Sequence, residues 1–425
     1  MIRRREFLGG AAAFLAASRM ARAQDPVNVA VIGLGGRGND HMMALSRIPS
    51  ARIAAVCDVN QEARERGAAL VEKLTGSKPK MYADMRRVFD DRGIQAVSMA
   101  TPNHWHALGT IWACQAGKDV YVEKPVCHNV FEGRKMLEAA AKYQRVVQAG
   151  SQGRSIPYRH RAIQHLHNGA IGKVYLAKGL CYKRRVSIGR KPAERVPAGI
   201  DWDLFLGPAP MRPFTWNRYK YNWHWFWETG NGDIGNQGVH EMDFARWGLG
   251  KDLPSAAVST GGKYVYDDEQ ETPNTQLATY DYGDCELVFE VRGLPTEAES
   301  GILIGNLFYG SDGYMAMDQS GFRIYQGEEK KLAIEEKIDP SEAIDTIPHF
   351  TNFLDAVRTR DRGKINGRLD EGVKSACLCH LANISYRVGR RLAWDGEAWS
   401  FGGDAEANAL LTRAYRAPFV VPAKV

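Results

Sequence analysis

Three groups of residues in this chain have the types and spacing to do chemistry. The first is Gly33-Leu34-Gly35-Gly36-Arg37-Gly38, which fits G-x-G-x-x-G and follows the β-rich run Val27–Ile32. Glycines so placed allow a tight turn, a close approach of backbone to a pyrophosphate, and close helix–strand packing. The N–H groups of the helix that follows would face the phosphates. Asp58 ends a second apolar run, Arg52–Cys57, 20 residues after Gly38. That is the placement of the acid that binds a ribose 2′-hydroxyl. A carboxylate there repels a 2′-phosphate, and Val59 and Asn60 offer no cation to hold one, so the pair favours NAD over NADP.

The second group is Glu123-Lys124-Pro125, which closes the apolar run Asp119–Val122 and presents a cation at a strand end. The third is Asn236-Gln237-Gly238-Val239-His240-Glu241-Met242-Asp243. His240 has an unperturbed pKa near neutrality, which suits proton transfer. On a helix it would share a face with Asp243, three residues on. A cation, an imidazole and a nicotinamide together meet the needs of carbinol oxidation: a donor for the developing alkoxide, a base for the hydroxyl proton and a hydride acceptor.

The elements around these groups alternate. Strands are expected at Val27–Ile32, Arg52–Cys57, Ala96–Ala100, Asp119–Val122 and Arg145–Ala149, with helices at Asn39–Ile48 and His106–Ala116. Alternation of this kind means a parallel, doubly wound sheet, with ligands beyond the carboxyl ends of its strands. The strand tails at Gly33–Gly38, Asp58, Thr101-Pro102-Asn103 and Glu123–Pro125 should therefore gather around one cleft. A later helix, Asp370–Leu392, is marked by Val373, Cys377, Leu381, Ile384 and Val388.

The bulk numbers fit a globular chain of two or three domains: 425 residues, 44% hydrophobic and 25% charged. Five arginines and Glu6 lie in residues 1–23, so the net charge of +7 falls to about +3 without them. That is too small and dispersed for a nucleic-acid partner. No apolar run reaches the length of a membrane span. Seven scattered cysteines form no disulfide framework, and Cys377 and Cys379 alone do not make a zinc site, so no metal is expected.

Residues 1–23 have the three parts of an export signal: Arg3-Arg4-Arg5, the Gly/Ala-rich stretch Phe7–Ala17, and Ala21-Arg22-Ala23 before Gln24. Arg4-Arg5-Glu6-Phe7-Leu8 resembles the twin-arginine signal R-R-x-F-L, which implies export of a folded protein to the periplasm or an equivalent compartment.

The order of motifs resembles the Gfo/Idh/MocA family, named for glucose–fructose oxidoreductase and inositol dehydrogenase. It rests on Ala30–Gly35, Thr101-Pro102-Asn103-His104-Trp105-His106, Glu123-Lys124-Pro125, Gly169–Val174 and Gly238–Asp243, and it covers most of residues 27–395. The resemblance implies an NAD-binding Rossmann domain at about 27–150. A substrate-binding and oligomerisation α/β domain would follow at 151–425, built on a large, open, mostly antiparallel sheet. It implies a homodimer or homotetramer. It also implies that Lys124 touches the substrate hydroxyl and the nicotinamide ribose, and that His240 is the acid/base. The cofactor contacts would be Gly33, Gly35, Gly36, Arg37, Gly38, Asp58, Thr101, Pro102, Asn103, His106, Glu123 and Lys124. The family pattern D-x-G-x-H-x-x-D is broken at Asn236, an amide that cannot relay a proton as a carboxylate can; Asn236 and Asp243 are expected at the substrate.

Two further segments could reach a sugar. Tyr219–Glu228 is dense in aromatics at alternate positions, which would share one face of a strand. Trp223 could offer a sugar platform, or the run could be core or interface. Arg154, Tyr158 and His160 follow the domain boundary and could contact a polyhydroxy ligand or equally make surface salt bridges.

Together these features point to an NAD(H)-dependent oxidoreductase acting on the carbinol of a sugar, polyol or glycoside. Free NAD is not replenished outside the cytoplasm, so the cofactor would be tightly held. A redox-neutral glycosidase or lyase on the same scaffold, and a non-catalytic sugar or nucleotide sensor, are the alternatives.

Overall fold

The computed structural model describes residues 25–342 and 346–425. The expected export signal at 1–23 lies outside the described residues.

Six parallel strands form the first sheet: β1 (Val27–Ile32), β2 (Ala51–Cys57), β3 (Lys80–Tyr82), β4 (Ala96–Met99), β5 (Asp119–Val122) and β6 (Val147–Ala149). Their order is β3-β2-β1-β4-β5-β6, the doubly wound arrangement. β4 and β5 are buried throughout because helices cover both faces. On one face Val29 and Val31 pack with Met42, Leu45 and Val71. On the other, Ala30 and Ile32 pack with Val88, Leu108 and Met136. Two helices start earlier than expected, at Gly36 and Asn103, because each follows its strand by only a few residues.

Nine strands form the second sheet: β7 (Val174–Cys181), β8 (Ala256–Gly262), β9 (Thr275–Asp281), β10 (Glu286–Arg292), β11 (Ile304–Gly310), β12 (Gly313–Asp318), β13 (Gly321–Gln326), β14 (Lys331–Lys337) and β15 (Leu392–Ala393). They run in the order β14-β13-β12-β11-β7-β10-β9-β8-β15. β7 and β10 pair in parallel, and the other neighbours are antiparallel. Ala177, Phe289, Phe308 and Met315 form the inner face, in one core with Met242, Ala245 and Leu378. The Val239–Leu249 helix lies close on this face: a Cβ on Gly238 would stand 2.3 Å from the Phe289 ring.

The chain then crosses back. The Thr346–Thr359 helix places Phe350, Phe353 and Leu354 in the core of the first sheet, where Phe350 stacks on Tyr121 at 4.2 Å. The Leu369–Val388 helix contributes Val373 to the first core and Leu378 and Leu381 to the second. Asn231 ties the halves by polar contacts: its Oδ1 accepts from Asn103 Nδ2 at 2.9 Å, and its Nδ2 donates to the His128 carbonyl at 3.0 Å. Among the described residues no helix is long and apolar enough to cross a membrane.

Candidate functional site

β1 ends in a turn that only glycine can make. Gly33 has φ of +86°, and a Cβ on Gly38 would lie 1.9 Å from the Gly33 carbonyl. Gly35 and Gly36 differ: a Cβ on either would meet nothing within 4 Å. They border open space, and the helix beginning at Gly36 has no side-chain cap. Its first N–H groups are therefore available to an anion. Asp58, at the end of β2, accepts from the N–H of Leu34 at 2.7 Å and of Asn60 at 2.8 Å. Burial raises its pKa against the pull of those two donors.

From this turn a cavity of about 710 Å³ runs past Asp58, Thr101 and Asn103 to Glu123, Lys124 and Asn236. Thr101 Oγ1 is buried with no hydrogen-bond partner, an orphan that a ligand here would satisfy. The open glycines, uncapped helix start, carboxylate and orphan hydroxyl together fit a dinucleotide.

Lys124 is half-buried at the far end, and its Nζ donates to the Asn236 carbonyl at 2.6 Å. Burial lowers its pKa, with Glu123 opposing. The π-helical turn Ile234–Gly238 presents that carbonyl and leads directly into the helix that carries His240. His240 is partly exposed, and its side chain makes no hydrogen bond among the described residues. Burial, and after it the Lys124 ammonium, pushes its imidazole down to about 3. His240 thus stands within electrostatic reach of Lys124, although it does not itself line the cavity.

The roof comes from the second half of the chain. The Gly199 carbonyl accepts from Gln61 N–H at 2.8 Å, Asp201 N–H donates to the Val59 carbonyl at 3.1 Å, and the Asn60 amide donates to the Tyr219 hydroxyl at 3.0 Å. His104 Nε2 lies 2.9 Å from the Phe205 carbonyl, to which Trp105 Nε1 also donates. This strap lays Leu204, Phe205, Tyr219, Tyr221, Trp223 and His224 along the cavity. Trp202, Phe205, Phe214 and Tyr219 pack as a cluster that stiffens it. Arg416 braces it from outside, bonding Asp203 and the Ala209 carbonyl.

Two sequence matches complete the picture. Residues 27–151 match an oxidoreductase-family NAD-binding Rossmann fold, and residues 173–421 match the C-terminal alpha/beta domain of the same family. The chain belongs to the Gfo/Idh/MocA oxidoreductase family. It is similar to a levoglucosan dehydrogenase of Pseudarthrobacter phenanthrenivorans, 28% identical over 55% of this chain and 54% of that one. It is also similar to a glycosyl hydrolase family 109 protein of Saccharopolyspora erythraea, 25% identical over 61% of this chain and 50% of the relative. The match therefore spans about half the length of these two relatives. A levoglucosan dehydrogenase solved with NADH and levoglucosan shares the fold, with a TM-score of 0.65, 18% identity, and coverage of 87% of this chain and 99% of that one.

Several residues expected at the ligand of this family member are occupied elsewhere. Arg154 and Asp243 form a buried, two-point ion pair at 2.7 and 2.8 Å, and Ser375 donates to the same carboxylate at 2.6 Å. Both residues were expected at the substrate, but each is spent on the other. Tyr158 is buried and its hydroxyl donates to the Asp318 carbonyl at 2.7 Å, so it too lies away from the cavity. His160 Nε2 is 2.7 Å from the Arg154 carbonyl.

Glu123 accepts from Arg37 at 2.8 Å and Gln152 at 2.9 Å, and lies 3.0 Å from His41 Nε2. Burial works to raise its pKa, but Arg37, His41 and Lys124 outweigh that and hold it well below the usual carboxylate range. Its oxygens anchor the neighbouring side chains. Asn103 spends its amide on Asn231, and the His106 ring sits between the Thr101 and Pro125 carbonyls at 2.8 and 2.7 Å. Asn236 Nδ2 donates to the Tyr221 hydroxyl at 2.9 Å.

The aromatic run is not a strand. Lys220–Trp225 is a 3₁₀ turn, which points Trp225 into the protein and leaves Tyr221, Trp223 and His224 on the cavity. The aromatic segment does reach the cavity through Tyr219, Tyr221, Trp223 and His224, whereas Leu204 and Phe205 were not singled out by the sequence, since nothing in the periodicity of 198–218 marks that stretch as a roof.

Proposed function

We propose that this chain is an NAD(H)-dependent oxidoreductase acting on the carbinol of a sugar, polyol or glycoside, and that it keeps its cofactor between turnovers. The observation that carries this reading is the single cavity with a phosphate-ready glycine turn and Asp58 at one end and Lys124 at the other. When bound, the nicotinamide supplies the hydride acceptor. The Lys124 ammonium steadies the carbinol oxygen as it gains charge. His240, one helical turn after the Asn236 carbonyl that holds Lys124, is the residue assigned to the hydroxyl proton. That role requires its ring to reach the cavity, which it does not line here. Asp58 supports NAD over NADP by repelling a 2′-phosphate.

The strap supports retention. The stretch 199–219 is bonded to the Val59–Gln61 loop and to the Asn103–Gln115 helix and lays side chains along the cavity, adding contacts that a bound dinucleotide would have to give up on leaving. Arg4–Leu8, which resembles a twin-arginine signal, supports export of the folded protein. There a retained cofactor can be reused only if a second substrate, or the same one, reoxidises it.

The outer face of the nine-stranded sheet supports a homo-oligomer. Leu176, Leu277, Val288, Tyr309, Tyr314 and Tyr325 point away from the Val239–Leu249 helix and are at most half-buried. The experiment is to purify the protein, pass it through gel filtration, and identify released nucleotide by mass spectrometry. Sugars, polyols and glycosides are then added while the absorbance of reduced nicotinamide is followed. NAD on the protein and its reduction by one class are expected. Glycoside cleavage without lasting reduction would assign the redox-neutral reaction instead, and protein that binds no nucleotide would end the proposal.

A further inference from the structure

We propose that His224 is a second substrate-contacting imidazole of this cleft, whose Nε2 accepts a hydrogen bond from a sugar hydroxyl other than the one being oxidised. The assignment rests on the carbinol reading above.

The ring is held from two sides. Trp223 stacks on it at 3.6 Å with the planes 20° apart, and the Tyr221 ring lies 4.6 Å away. Its Nδ1 is 2.5 Å from the Tyr221 carbonyl. A carbonyl only accepts, so Nδ1 carries the proton and Nε2 keeps its lone pair. Among the described residues nothing donates to Nε2, and His224 borders the cavity that ends at Lys124. The charged and titratable groups that act on it are Lys124, Arg185 and His106. Burial comes first; the Tyr221 carbonyl opposes it, and these three groups add to it, leaving the imidazole down at about 3. His224 is therefore neutral under ordinary conditions, an acceptor whose direction is fixed by its neighbours.

That makes its task different from that of Lys124. Lys124 can only donate, and so suits the carbinol oxygen. His224 can offer only an acceptor, and so suits a hydroxyl that keeps its proton. A ligand with two or more hydroxyls can give each group its own partner, which favours a polyol or sugar over a simple alcohol. The stack on Trp223, the tilted contact with the Tyr221 ring and the bond to the Tyr221 carbonyl supply rigidity, so little order remains to be gained on binding.

Two measurements on the full-length, NAD-loaded protein test this. In nitrogen NMR of histidine-labelled protein, with His224→Phe identifying the resonance, His224 should be protonated at Nδ1 alone between about pH 6 and 8. Protonation at Nε2, or an imidazolium at about pH 6, overturns the proposal. In calorimetry with the NADH-loaded protein, His224→Phe keeps the stack and should weaken levoglucosan binding about tenfold, the loss of one hydrogen bond. NADH affinity should not change, and His224→Gln should recover part of the loss. Equal levoglucosan affinity in wild type and His224→Phe also overturns it. Wild-type protein that binds neither levoglucosan nor any other sugar, polyol or glycoside of the panel would count against the carbinol reading instead, and the tautomer would then decide His224 alone.

Discussion

Lys124 Nζ sits 2.6 Å from the backbone oxygen of Asn236, joining the end of a nucleotide-domain strand to the turn that precedes His240. The contact spans the two halves of the chain and fixes where the ammonium points. A substrate oxygen arriving at Lys124 meets a donor already aimed and partly stripped of water, the condition under which a charge is worth most.

Lys124→Met should therefore lower the rate of the chemical step by about 100- to 1000-fold while NAD affinity stays within a few-fold. Rapid mixing with substrate and separate nucleotide titration would read the two effects. A variant that loses both equally would make Lys124 a cofactor anchor only.

The glycine turn offers an internal control. Gly36→Ala adds a methyl where nothing lies within 4 Å, so the protein should fold normally and lose nucleotide affinity. Gly38→Ala forces a methyl to 1.9 Å from a carbonyl and should lower stability as well. Denaturant midpoints and nucleotide titrations of both variants check this.

How much of this site could be read from the sequence follows from how local each part is. The turn at Gly33–Gly38, Asp58 and Lys124 are fixed by strand ends, and short-range patterns reveal strand ends. The roof is different. Phe205, Tyr219 and His224 reach the cavity through contacts more than a hundred residues apart, such as His104 with Phe205 and Asn60 with Tyr219. Alternating aromatics in Tyr219–Trp227 read as a strand, but Lys220 takes a positive φ of 53° and the chain coils instead. Nor can residue type separate a substrate-binding arginine from a buried one. Arg154 became structural only because Asp243 and Glu371 face it.

Arg154→Met should then act on stability. Among the described residues it leaves the buried Asp243 carboxylate with only Ser375 and, at 3.8 Å, Arg246, so the loss should approach the roughly 3–5 kcal/mol of a broken buried pair. Urea unfolding should show that loss. Substrate selectivity among sugars should not change, whereas a shift in selectivity would return Arg154 to the site.

Glu241 gives a pH prediction. Burial pushes its carboxyl up to about 7, against Gln237, Arg159 and Lys124, and its Oε2 has no partner. A raised carboxyl pKa favours the protonated folded state, so this contribution is full below the unfolded value and fades as pH rises through about 7. Stability should fall between mildly acidic and alkaline pH. Glu241→Gln, which mimics the protonated form, should flatten that fall and unfold at higher denaturant than wild type at alkaline pH. An unchanged pH slope would contradict it.

The most direct test of the account is a single turnover on the protein as purified. Bound NAD should be reduced by at least one member of a panel of sugars, polyols and glycosides. Lys124→Met and His240→Gln should hold the same amount of NAD and leave it oxidised. Reduction at the wild-type rate in both variants would contradict the assigned chemistry.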